Sequence, residues 1–231
     1  MFYLDPLYLV FAAPALLLML YAQFRVNSAF NKYSAVANMQ GLTGAQVAKR
    51  LLGINGLEHV GIEGTGGNLT DHYDPRSKVL RLSPNVYRAP SVAAMGIVAH
   101  EVGHALQDSG GYFPMKVRGA LVPAASVGSW MGYIFFLAGI FLQIANLVWL
   151  GIIFFTGAVA FALVTLPVEW DASNRAKLML RNAAMVSTTE YDAVNTVLSA
   201  AALTYVAALL QAVASLLYYV TVALGMGRRD D

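Results

Sequence analysis

The chain has 231 residues, 58% of them hydrophobic and only 12% charged, with a mean hydropathy of +0.57. Soluble domains carry about 25% charge, so this composition excludes an ordinary soluble monomer. A net charge of +2, with no long basic run interleaved with aromatics, argues against nucleic acid as a partner.

The missing charge is concentrated. No Asp, Glu, Lys or Arg occurs from Pro6 to Phe24, from Gly119 to Val168, or from Ala193 to Gly227. A helix needs about 20 apolar residues to cross the hydrocarbon layer. The first run therefore makes one crossing, at residues 6–24. The second is long enough for two, and its most polar point, Gln143-Ile144-Ala145-Asn146, divides it into crossings at 122–142 and 147–166. The third makes one more, at 198–224. The leading residues Met1 to Asp5 contain an acid and no Lys or Arg, which is not the start of a secretory signal. With four crossings, residues 25–118 and 167–192 share one face of the membrane. That face holds 13 of the 15 Lys and Arg residues, against Arg228 and Arg229 on the other, and the positive-inside rule makes it cytoplasmic. In a bacterial cell the membrane would be the inner, plasma membrane.

Within residues 25–118, Thr43 with Gln46 has the spacing of a capping box, opening a helix that Gly53 and Asn55-Gly56 stop. Val60 and Ile62 suggest a short strand, and Gly64 to Asn68 a loop. Asp74-Pro75-Arg76-Ser77 reads as a type I turn joining Leu69–Tyr73 and Lys78–Ser83 in a hairpin. Ser91 is a suitable N-cap for a helix over 91–107. Lys78 to Leu82 has the look of an edge strand to which an extended peptide could add. Tyr112-Phe113, Trp130, Trp149 and Tyr218-Tyr219 are candidates for aromatic belts at the membrane interfaces.

The helix over 91–107 contains His100-Glu101-Val102-Gly103-His104. Residues four apart share a helix face, so the two imidazoles can bind one metal ion, and the intervening glutamate can take a proton from water at that metal. The plainer alternative is two core histidines on an amphipathic helix. With no Cys in the chain, a metal must be held by His and carboxylates, a donor set that favours zinc. A catalytic zinc needs a third protein ligand. His59, His72, Asp108, Asp171, Glu190 and Glu169 are the candidates. Glu169 stands out because it closes the uncharged run just after Pro167, a residue favoured in the first turn of a helix. A carboxylate at a helix N-terminus is the alternative account of it.

His-Glu-Val-Gly-His-Ala-Leu-Gln at 100–107 and Pro-Val-Glu-Trp-Asp-Ala-Ser at 167–173, with Leu-Thr-Asp-His-Tyr-Asp-Pro at 69–75 and Ala-Ala-Leu-Thr-Tyr-Val-Ala-Ala at 201–208, resemble the YugP family of bacterial membrane zinc metallopeptidases. The likeness extends over almost the whole chain. It implies one zinc ion on His100, His104 and Glu169, with Glu101 as general base, as in gluzincins. The chain is more distantly similar to HtpX-type membrane peptidases, in which Ala and Asp follow the third ligand by three and four residues. Ala172 matches and Ser173 replaces the Asp, leaving a weaker neutral partner for a ligating histidine.

The reading is thus an α-helical membrane protein with four transmembrane helices and a small zincin-like α+β cytoplasmic metallopeptidase domain. It would hydrolyse peptide bonds of membrane or unfolded proteins at the membrane surface, and it leaves room for a homo-oligomer. His72, Tyr73, Arg175 and Tyr191 are the possible donors to the carbonyl oxygen of the scissile bond, and His72 is preferred. The alternative from another class is a non-catalytic membrane scaffold with a structural zinc site. A metal transporter is disfavoured because no membrane run holds an ionisable residue.

Overall fold

The computed structural model describes residues 6–227, so Met1 to Asp5 and the basic pair Arg228 and Arg229 lie outside the described residues. Among the described residues, seven of the ten elements are helices: α1 (Pro6–Ser34), α2 (Gly44–Ile54), α3 (Pro84–Tyr87), α4 (Val92–Ser109), α5 (Phe113–Leu142), α6 (Ala145–Asn182) and α7 (Thr188–Gly227). The strands are β1 (Gly61–Gly64), β2 (His72–Asp74) and β3 (Val79–Leu82). Among the described residues, α1, α5, α6 and α7 are long and apolar enough to cross a membrane. Their most apolar windows are only 17–28% buried, leaving outward faces suited to lipid rather than to a protein core.

The chain divides into two compact units. One takes in the residues up to Ala22, Lys116–Leu166 and the chain from Thr204 onward. Here α5 and α6 form a hairpin whose turn falls where polarity predicted it, with Gln143 at φ +57°. The two backbones approach closely along a glycine seam. A Cβ on Gly128 would lie 2.5 Å from Phe154 O, and one on Gly151 2.6 Å from Phe136 N. Small residues allow such approach where hydrophobicity alone drives no helix pairing. Tyr218 and Tyr219 do not form an interfacial belt. They are buried, with Tyr219 stacked on Phe136 at 3.8 Å between centroids. Trp130, by contrast, is exposed.

The other unit comprises Gln23–Met115 and Pro167–Leu203. The Thr43/Gln46 capping box is formed at the start of α2, and Ser91 Oγ accepts Ala94 N–H at the start of α4. The sheet has the order β1-β3-β2, with β1 parallel and β2 antiparallel to β3. The hairpin expected around Asp74 is present. The edge assignment of Lys78 to Leu82 is overturned: β3 is the central strand, because β1 pairs along its other side. Period-2 alternation buries Leu80 and Leu82 against the same core as Leu51, Val92, Met95 and Val98. The one-turn helix α3, opened by Ser83 and Pro84, was not anticipated.

A second correction concerns Pro167. It lies inside α6 rather than at the start of a new helix. Pro cannot donate to the carbonyl four residues back, but apolar helices tolerate it when side chains and neighbouring helices satisfy the freed groups. Glu169 therefore sits on a continuing helix, which removes the helix N-terminus as an explanation of its position.

Candidate metal centre

The residues of the centre come from α4 and α6, which meet at Gly103. A Cβ there would lie 2.6 Å from Ala172 O, so the two helices cross with backbone against backbone. That contact brings Glu169, one turn before Ser173, to the histidine face of α4. Glu169 Oε2 lies 3.1 Å from His100 Nε2 and 3.5 Å from His104 Nε2. The two imidazoles stand edge-to-face with centroids 4.8 Å apart. His100, His104 and Glu169 each offer a ligand atom within 4.8 Å of the others, a group able to hold a metal ion.

The donor set fits zinc. Zinc–nitrogen and zinc–oxygen bonds of about 2.0–2.1 Å at tetrahedral angles separate ligand atoms by roughly 3.4 Å, and the two measured separations from Glu169 straddle that value. Glu169 is 2% exposed, and a buried carboxylate needs compensation. Each histidine is also held from behind. His100 Nδ1 is 3.1 Å from Ser173 Oγ, and His104 Nδ1 is 2.9 Å from Gln107 Oε1. Burial works against a charge on His104, but hydrogen bonding to Glu169, the nearby Glu101 and Glu169 charges and the contact with Gln107 together raise its pKa above the ordinary imidazole value.

Glu101 lies between the histidines in sequence and is also buried. Burial pushes its pKa above the usual carboxylate range, against the opposing pull of His100 and His104. One of its oxygens, Oε2, accepts the backbone N–H of Tyr73 at 2.9 Å. Tyr73 is the middle residue of β2, whose phenol donates to Asp108 Oδ2 at 2.7 Å two turns further along α4.

The other candidates for third ligand are engaged elsewhere or exposed. Asp108 takes Tyr73 and Lys78, Asp171 takes Gln107 and Arg175, and Glu190 takes Met39 N–H and Ser187. His59 and His72 are exposed, and His72 Nδ1 contacts Thr70 O at 2.8 Å. Of the possible carbonyl donors, Arg175 is bound to Asp171 and its guanidinium lies over the Tyr112 ring. Two roles in this neighbourhood escaped the sequence reading. Tyr73, named there only as a possible donor to the carbonyl oxygen, meets Glu101 through its backbone N–H, which no side-chain pattern reports. Gln107, three residues past His104 on the same helix, could have been found by asking what meets its Nδ1.

Four helices able to cross a membrane and two histidines gathered with a glutamate define a membrane protein with a candidate metal centre. The chain belongs to the family described as "Putative neutral zinc metallopeptidase", whose model matches residues 8–224. It is 46% identical over 225 residues to the "Putative membrane protease YugP" of Bacillus subtilis strain 168, an alignment covering 97% of this chain and all of that protein. No solved structure matches.

Proposed function

We propose that this protein is a zinc-dependent membrane peptidase in which His100, His104 and Glu169 hold one zinc ion and Glu101 is the general base. The observation that carries this reading is the group of three ligand atoms within 4.8 Å, with the buried Glu101 carboxylate on the same helix. Zinc bound there would lower the pKa of water toward about 7 and polarise a carbonyl. Glu101, with one oxygen held by Tyr73 N–H, keeps its other oxygen for the proton that it takes from water and passes to the leaving amine. Its raised pKa suits both tasks, because a base must also be able to give the proton back. His72 is proposed as donor to the carbonyl oxygen, its Nδ1 held at Thr70 O and Nε2 as its second nitrogen.

The unit of α2, α4 and the three-stranded sheet is read as a small zincin-like domain. Residues 25–118 and 167–192 are assigned to the cytoplasmic face on the excess of Lys and Arg there. Glu169 directly follows the uncharged run, so the substrates that suit a centre so close to a membrane are loops, tails or unfolded segments of membrane proteins. Glu101→Gln tests the reading. Hydrolysis should fall by about 10²–10⁴-fold while zinc content and folding persist. A wild-type protein that binds zinc stoichiometrically but hydrolyses nothing, or an active Glu101→Gln variant, would refute it, the first in favour of a structural zinc site. Soluble unfolded proteins cleaved freely while membrane-tethered ones stay intact would overturn the substrate class.

A further inference from the structure

Gln107 is fully buried beside the centre, and both of its amide hydrogens are used. The amide nitrogen donates to Val168 O at 2.7 Å and to Asp171 Oδ2 at 2.8 Å, and the amide oxygen faces His104 Nδ1 at 2.9 Å. Both partners on α6 are oxygens that only accept: a peptide carbonyl and a carboxylate whose other contact is Arg175 Nε. Turning the amide over would set oxygen against two oxygens. Its orientation is therefore fixed from α6, and with it the chemistry at the imidazole. An amide oxygen accepts, so Nδ1 must carry a hydrogen. The neutral ring then has its lone pair on Nε2, the nitrogen 3.5 Å from Glu169 Oε2. The other histidine is treated differently, since Ser173 Oγ can donate or accept and does not dictate which nitrogen of His100 is protonated.

We propose that Gln107 is a positioning residue: locked by Val168 O and Asp171, it holds His104 as the Nδ1–H tautomer and so presents Nε2 to zinc. This rests on the reading of His104 as a ligand. It also extends the centre into a relay across two helices, from Arg175 through Asp171 and Gln107 to His104, in which each link sets the direction of the next.

The experiment uses the full chain in detergent, with selectively ¹⁵N-labelled histidine to read the tautomer of the metal-free protein in alkaline buffer, and chelator competition to read zinc affinity. Wild type should show His104 protonated on Nδ1. Gln107→Met keeps the bulk and removes the acceptor. It should lose that signature and bind zinc about 10–100-fold more weakly, the usual cost of losing a partner behind a ligand. A packing role alone would leave the tautomer unmoved in Q107M. An Nε2–H tautomer in the wild type, which can be measured whether or not the variants fold, or undiminished zinc affinity in Q107M, overturns the proposal. His104→Ala separates the two levels. If it binds zinc as tightly as wild type, the ligand reading fails, whereas a loss there beside an unaffected Q107M sinks only the role of Gln107.

Discussion

Gly103 is where the centre is most sensitive to a single methyl group. In Gly103→Ala the new Cβ would sit 2.6 Å from Ala172 O, about 0.8 Å inside the 3.4 Å at which ordinary contact begins. The obstructing atom belongs to a helix backbone, so relief requires α4 and α6 to separate by a good fraction of that distance. Forced overpacking of this kind costs about 1–3 kcal/mol, offset by up to about 1 kcal/mol from the better helix propensity of Ala. The larger effect falls on the metal. Ligand distances tolerate only about 0.2 Å, and separating the helices moves Glu169 away from both histidines at once. Zinc affinity should fall at least about tenfold, measured by chelator competition, with a lower midpoint of thermal unfolding. Gly53→Ala on α2 is the control, because its Cβ would meet nothing within 4 Å and it should be neutral or slightly stabilising. A Gly103→Ala protein with wild-type zinc affinity and unfolding midpoint would refute the close crossing as the device that assembles the site.

Zinc at 100 times its dissociation constant should stabilise the fold by about 2.7 kcal/mol, so a chelator should lower the thermal midpoint of the wild type and leave His100→Ala unmoved. Equal sensitivity of the two would exclude His100 as a ligand. Asp74 is held well below the usual carboxylate range by Arg81, Ser77 and the Arg76 N–H. A depressed carboxylate pKa adds stability above its unfolded value of about 3.9 and loses it as pH falls below. Asp74→Asn should therefore unfold more easily than wild type at pH 7, with the gap narrowing from about pH 4 downward; a gap independent of pH would show that the Asp74 charge is not responsible.

How much could be read from the chain alone follows from the range of each interaction. The pairing of His100 and His104 is a matter of four residues on one helix, and the Thr43/Gln46 box of three, so both are written locally. The break at Gln143 is equally local, since one polar point inside an apolar run has no place in a crossing. The central position of β3 was not legible. It depends on a parallel partner, β1, brought alongside from fifteen or more residues away, and a four-residue strand looks the same at an edge or in the middle. Pro167 was misread because proline suits both the first turn of a helix and the interior of an apolar one, and only the path of α6 decides between them. The orientation of Gln107 was out of reach for a similar reason, since Val168 O and Asp171 lie on another helix, more than sixty residues along the chain.

Tyr73 adds a lesson about tolerance to mutation. The group that touches Glu101 is its peptide N–H, which every residue type except proline provides. Drift in the side chain at position 73 can disturb the anchor at Asp108 yet leave the amide in place, so the orientation of the Glu101 carboxylate is insulated from most changes at the residue that sets it.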